Sequence, residues 1–260
     1  MPNIFDRAII YNSLFISVKG VLKYPDAQTF KTENPSLYKR WEQISIQKFK
    51  VNDLNVGFDV MYRDSAPYHH EFVKIIAISY GTLTSENGKL VREIKSIADI
   101  DELSVIKQFV QVLNDLAHDS QASLPRYLHT LIGHGIVGFD IPILIKKILE
   151  HRKSLIDVKT DQGLIPKILK ECVIAKPWDV NVIDTLNSYK FNGNEYLSLM
   201  TIADTLGLKY KDELLLPQKL SEEFHTFYEA NPESMLDMIK MQSMNQVNLC
   251  IQLVNELRQM

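Results

Sequence analysis

The stretch Leu128-His129-Thr130-Leu131-Ile132-Gly133-His134-Gly135-Ile136-Val137-Gly138-Phe139-Asp140-Ile141-Pro142-Ile143-Leu144 changes character in its middle. Leu128 to Gly133 is short and apolar and closes on glycine, which predicts a buried strand. Gly133-His134-Gly135 predicts a turn. From Asp140 to about Arg152 the chain predicts a helix, with Pro142 in its first turn, where a missing N–H costs nothing. Asp140 is thereby placed near a helix N-terminus, directly after a buried strand.

Working outward, Ile9-Ile10-Tyr11 running on through Leu14-Phe15-Ile16-Ser17-Val18 to Gly20 predicts a first core strand. From Tyr24-Pro25 to about Gly57, and on to about residue 70, the sequence is polar with intermittent apolar anchors at Leu37, Trp41, Ile44 and Ile46, which predicts a helical or irregular excursion. Lys74 to Gly81 and Lys89 to Ile97 flank Glu86-Asn87-Gly88 and predict an antiparallel hairpin. Asp101 to Leu116 carries apolar residues at helical spacing. Beyond the central stretch, Val180 to Leu186 predicts a short strand, Leu197 to Leu206 a helix stopped by Gly207, and Glu233 to Leu257 a long helix. The order β-β-β-α-β-α-β-α-α predicts a mixed α/β sheet with helices on its faces, in one domain without internal repeats.

Composition bounds the function. The 260 residues are 45% hydrophobic, ample for a core without disulfides. The two cysteines, Cys172 and Cys250, match no zinc spacing and read as inert thiols of a reducing cytoplasm. No apolar run approaches the roughly 20 residues that span a bilayer, and the start has no secretory pattern, so no membrane role is expected. A net charge of −3 excludes the global positive field of a dedicated nucleic-acid binder.

Gly133-His134-x-x-x-Phe139-Asp140-Ile141-Pro142-x-Leu144 resembles the second motif of the DEDD (DnaQ-like) 3'-5' exonucleases. Around it, Leu14 to Val21 with Tyr24-Pro25 resembles the first-motif strand, and Glu71-Phe72-x-Lys74-Ile75-x-x-Ile78-Ser79-x-Gly81 the strand that follows. Lys176-Pro177-Trp178-x-Val180, Ile183-Asp184-Thr185 and Leu199-x-x-Ile202-Ala203-x-x-Leu206-Gly207 extend the likeness over nearly the whole chain. It is to the branch related to the proofreading domain of family B DNA polymerases. The fold this implies is the ribonuclease H-like mixed sheet.

The chemistry this implies needs four carboxylates holding two divalent ions, and a Tyr or His that orients the attacking water. Carried over, the Asp-x-Glu of the first motif falls on Ser17-Val18-Lys19, so both acids are missing. The second motif keeps Asp140, but Gly135 stands where an Asn is common. In the third, Leu236-Asp237-x-Ile239 upstream and Val247 downstream place Gln242 at the Tyr position and Gln246 at the Asp position; a register one residue earlier brings Met241 and Asn245, again without a carboxylate. Ser17, Lys19, Asp140 and Gln246 sum to zero formal charge, so loss of the Mg²⁺ or Mn²⁺ pair is expected, with Lys19 pairing with Asp140 as an internal substitute for the ion.

Asp184, Asp204 and Asp237 read as capping or solvated acids, His134 as a turn-shaping residue, His69-His70 as an exposed loop, and Met235, Met238, Met241 and Met244 as a packing face. Lys146, Lys147, His151, Arg152 and Lys153, with Lys39-Arg40 and Lys48 to Lys50, read as either a phosphate-binding row or a solvated face. Leu214-Leu215-Leu216-Pro217 reads as an apolar contact loop. The expectation is a catalytically inactive exonuclease-like protein with no cofactor, serving a structural or protein-interaction role with other proteins or copies of itself in a larger assembly. The branch's occurrence in bacteria and their viruses suggests a bacteriophage particle component, in the virion when phage-encoded. The alternatives are a non-cleaving single-stranded nucleic-acid-binding module and an active metal-dependent 3'-5' exonuclease with an unconventional site.

Overall fold

A computed structural model describes residues 6–49, 57–86, 89–118, 130–158, 163–175, 179, 181–190, 193 and 196–259. Five strands, β1 (Ser13–Leu22), β2 (Val73–Glu86), β3 (Lys89–Ala98), β4 (Thr130–Gly133) and β5 (Val182–Asp184), form one mixed sheet in the order β3-β2-β1-β4-β5. β1 is central. It runs antiparallel to β2, with Ser17 opposite Ser79, and parallel to β4, with Phe15 opposite Ile132. β4 and β5 are parallel, and β2–β3 is the expected hairpin, although its turn residues 87–88 lie outside the described set.

Alternation along β1 sorts its side chains to two faces. Leu14, Ile16 and Val18 join a core built with α2 (Ala27–Glu33), α3 (Pro35–Phe49), α4 (Phe58–Ser65), α5 (Glu102–His118), α6 (Asp140–Glu150) and α7 (Lys167–Ile174). Phe15 points the other way, into a core with Ile132, Ile183, α9 (Leu199–Leu206) and the long α11 (Pro232–Leu257). Where α11 crosses the sheet, small residues let it lie close. A Cβ on Gly81 would stand 3.0 Å from Val247 Cγ1, and Ser243 Oγ donates to the Ser17 carbonyl at 3.1 Å.

The structure departs from the sequence reading in several places. Ile9 to Tyr11 belong to a short helix, α1 (Arg7–Tyr11), rather than to the strand. Asp6 O accepts from Ile9 and Ile10, and Ser13 Oγ bonds back to Ile9 O, so the chain turns before β1 begins. The polar excursion is a core element: Phe30, Trp41 and Tyr62 are fully buried, with Phe30 packed on Tyr24, Tyr38, Tyr62 and Phe72 at centroid distances of 4.9–5.8 Å. β5 ends at Asp184 because that side chain caps α8 (Thr185–Tyr189), accepting from Leu186 N.

The apolar contact loop is also revised. Pro217 opens α10 (Pro217–Phe227), whose Leu220 and Phe224 pack on Val21, Ile76 and Ala77. Two carboxamides of α11 strap the chain ahead of it: Gln242 bonds Leu215 N and Glu213 O, and Gln252 bonds Lys209 N and O. Among the described residues no helix is long and apolar enough to cross a membrane.

Candidate functional site

Three of the five residues singled out from sequence come together where β1, the start of α6 and α11 meet. Lys19 and Ser17 occupy alternate positions of β1 on the face that α11 covers. A bulge follows at once: Lys19 opposes Ala77 but Gly20 opposes Ile75, leaving Ile76 as the extra residue on β2. Such bulges bend a strand and re-aim its side chains.

Lys19 Nζ donates to Gln246 Oε1 at 2.5 Å, which selects Gln246 over Asn245 as the α11 residue facing the strand. Asp140 is brought in by the turn between β4 and α6. Its turn requires Gly135 at φ +69°, a left-handed conformation that glycine adopts without a Cβ penalty. Phe139 N and Gly138 N then bond Gly135 O, and the chain enters α6 with Asp140 buried. Its Oδ1 accepts from Val18 N at 2.6 Å.

The direct Lys19–Asp140 ion pair expected from sequence does not close. Lys19 spends its hydrogen bond on Gln246 and Asp140 on the β1 main chain, and no Lys19–carboxylate contact within 4 Å occurs among the described residues. The two groups still influence each other electrostatically. Burial pushes the Lys19 ammonium down to about 8 against the pull of Asp140, which raises it. Burial pushes the Asp140 carboxyl up to about 7, while Val18 N–H and Lys19 pull it back and Asp184 adds to the rise. Both groups are thus biased toward their uncharged forms.

The other residues singled out from the sequence take no part in this contact. Ser17 Oγ is buried and has no hydrogen-bond partner among the described residues. Gln242 spends its amide on the segment before α10, bonding Leu215 N and Glu213 O. Asp184 is an acceptor for three main-chain N–H groups, of Gly135, Val137 and Leu186, at 2.9–3.2 Å, so it is a capping acid as expected. His134 bridges Thr185 Oγ1 at 3.1 Å and Leu197 O at 3.0 Å, which supports the turn-shaping reading; burial lowers its pKa. Cys250, read from sequence only as an inert thiol, is a buried α11 residue beside Thr185 that lies in the field of both Asp140 and Lys19 and is pushed up to about 12 by burial. Its place one turn after Gln246 on the helix was the available signal.

Three members of the basic row, Lys146, Lys147 and His151, stand against carboxylates. Lys146 pairs with Glu71 at 2.7 Å, and Lys147 is fully buried between Glu150 at 2.8 Å and Glu102 at 3.4 Å. His151 Nε2 stands 3.0 Å from Glu102. Glu102, Glu150 and His151 are close enough to hold a metal ion together, but the Lys147 ammonium already sits against both carboxylates. His70 is half-buried rather than exposed, its ring 5.1 Å from Phe139. The Lys176-Pro177-Trp178 string, Val180, Lys50 and the Lys48 side chain lie outside the described residues.

Divalent ions bind oxygen-rich sites with anionic ligands. Ser17, Lys19 and Gln246 offer one ammonium, one carboxamide and one enclosed hydroxyl, and the one carboxylate, Asp140, is already bonded to the main chain. These residues do not fit a two-ion centre. Comparison of the chain with family models, with curated proteins and with solved structures returns no match.

Proposed function

We propose that this chain is a ribonuclease H-like, exonuclease-derived protein that does not cleave nucleic acid, and that it serves as a structural or protein-binding component of a larger assembly, with a bacteriophage particle as one such setting. The observation that carries this reading is the Lys19–Gln246 contact at 2.5 Å, on the positions where the resemblance calls for metal-binding acids. An ammonium there repels the cations on which that chemistry depends. The sheet order β3-β2-β1-β4-β5, with β1 antiparallel to β2 and parallel to β4, supports the ribonuclease H-like part of the reading. The nucleic-acid-binding alternative draws less support, because Lys146 and Lys147 are committed to carboxylates.

The test is a time course of 5'-labelled single-stranded DNA with Mg²⁺ and with Mn²⁺, beside Asp140→Ala. Intact DNA is expected throughout. Laddering from the 3' end that the variant abolishes overturns the proposal. Sedimentation provides the positive arm: a defined oligomer or a stable protein complex is expected, and a strictly monomeric, partnerless chain counts against the assembly role.

A further inference from the structure

The sheet ends on β3, and among the described residues no further strand lies beyond it. At 10 residues β3 is a long edge, and the unpaired main-chain groups of an edge are a template for another strand. Its contacts with β2 tell which groups are unpaired. Asp99 N, just past the strand, bonds Ile76 O at 3.1 Å; Val91 O stands 3.5 Å from Thr84 Oγ1; Glu93 O lies 3.3 Å from where a Cβ on Gly81 would stand. The odd-numbered residues therefore turn their main chain toward β2. By the alternation of an antiparallel ladder, Arg92, Ile94 and Ser96 hold N–H and C=O toward the open edge. Side chains alternate too. Arg92, Ile94 and Ser96 lie on the α11 face, where Arg92 bonds Asn248, Ile94 packs on the α11 core and Ser96 bonds Ser79. Val91, Glu93, Lys95 and Ile97 lie on the face of α5. There Glu93 and Lys95 meet at 2.9 Å with 63% and 58% of their side chains exposed, a contact that adds little to a monomer.

We propose that β3 pairs antiparallel with β3 of a second copy, about a two-fold axis through Ile94, so that two sheets become one. Such an axis sets each residue opposite the one equally far beyond the centre. Centred on Ile94, Glu93 opposes Lys95 of the second copy and Lys95 opposes its Glu93, while Val91 opposes Ile97 and Arg92 opposes Ser96. Opposite charges directly across a ladder attract and like charges repel. The neighbouring registers fail on that count: centred on Arg92, Glu93 or Lys95, the central residue meets its own copy, and centred on Ser96, Glu93 meets Asp99. Charged residues ordinarily guard an edge against any added strand. Here their pattern closes the adjacent registers and leaves one open, which favours a second copy over a foreign strand. Main-chain bonds from Arg92, Ile94 and Ser96 supply attraction, and the side chains supply register. The pairing gives the assembly role proposed above, on which it rests, a surface and a partner.

The experiment is sedimentation velocity of the full chain over a concentration series, beside Glu93→Lys, Lys95→Glu and an equimolar mixture of those two variants. A reversible dimer is expected of the unchanged chain. Each substitution sets like charges opposite each other on both sides of the axis, and is expected to raise the dimer dissociation constant about tenfold or more. One variant is cationic at both positions and the other anionic at both. Their mixture is therefore expected to dimerise again, although the contact within each strand stays broken. Amide exchange is the second readout: Arg92, Ile94 and Ser96 are expected to slow as protein concentration rises, while Glu93 and Lys95, already held by β2, do not change. A chain that stays monomeric up to about 100 μM, a dimer indifferent to both variants, or a mixture as weak as its components overturns the pairing. An oligomer built through another surface, or a monomer in a stable complex with a different protein, removes the pairing and leaves the assembly role standing, whereas a partnerless monomer removes both.

Discussion

Two lysines carry an amine in from the surface, Lys147 wholly and Lys19 in part, and they are treated in opposite ways. Lys147 has no exposed side-chain surface and meets two carboxylates, Glu150 at 2.8 Å and Glu102 at 3.4 Å, with Ile75 N bonding Glu102 from behind. Lys19 meets one carboxamide oxygen, and its nearest carboxyl group bonds main chain instead. The first is a charge matched by charge. The second is a charge that burial works against. A buried pair of the first kind fixes how elements meet, here α5 and α6 beside the start of β2, whereas the second ties β1 to α11 through a neutral partner. The likeness in residue type conceals a difference in the number of carboxylates within reach.

The largest effect that sharpens this comparison is expected from Lys147→Met. Glu102 and Glu150 lose their common cation, and breaking a buried pair from one side costs about 3–5 kcal/mol. Urea unfolding measures it, and a loss below about 1 kcal/mol would erase the contrast. Next comes a rebuilt site: with Ser17→Asp, Lys19→Glu and Gln246→Asp together, the region regains anionic oxygens. Saturating Mn²⁺ at a hundredfold excess over Kd is then expected to stabilise the variant by about 2.7 kcal/mol, read as a rise in Tm. The unchanged protein is expected to show no such rise, and a shift there equal to the variant's would break the argument that Lys19 excludes the ion.

Asp140 gives a pH signature of intermediate size. Its folded pKa of about 7 lies above the ordinary 3.8, so between those values the folded state keeps a proton that the unfolded chain releases. Stability contributed by this group therefore falls as pH rises from about 4 to 7 and is level above. The fall is on the order of 2 kcal/mol, less than the full shift implies because other groups relax around it. Asp140→Asn keeps an acceptor for Val18 N and removes the fall, which denaturation at a series of pH values measures. An unchanged slope in the variant would assign the titration elsewhere. The smallest effect is expected from Gln242→Ala, which frees Leu215 N and Glu213 O from α11 and costs about 1–2 kcal/mol. Faster amide exchange confined to the segment before α10 is its second readout.

The sheet was legible because its strands carry their own signals. Alternation through Leu14, Phe15 and Ile16, the Asn-Gly hairpin and the strand ending at Gly133 each depend on local chemistry that tertiary packing then reinforced. The helices of 27–65 were legible only as a helical or irregular excursion, because their buried faces are aromatic and sparse: Phe30, Trp41 and Tyr62 sit among charged neighbours, and what buries them is one another. At the site, the register of Lys19 and Gln246 could be read from spacing. Where Lys19 would send its hydrogen bond could not, since a one-residue bulge and the depth of α11 decide it, and neither leaves a pattern in the sequence. The bonds of Gln242 were hidden for a similar reason. A carboxamide facing a site and a carboxamide strapping a loop look alike until the loop is placed.

The long helix α11 also sets a timetable. It supplies Val247, Leu249, Cys250, Ile251, Leu253 and Val254 to the core that covers Phe15, Leu83 and Ile132, so this core has only α1 and α9 to draw on until residues past 247 have been made. Throughout synthesis the hairpin and the other core can form while this apolar face stays open, the condition under which nascent chains attract chaperones or one another. A ribosome that stalls before α11 would release a half-clad sheet, and the production of this fold hinges on α11 more than on any strand.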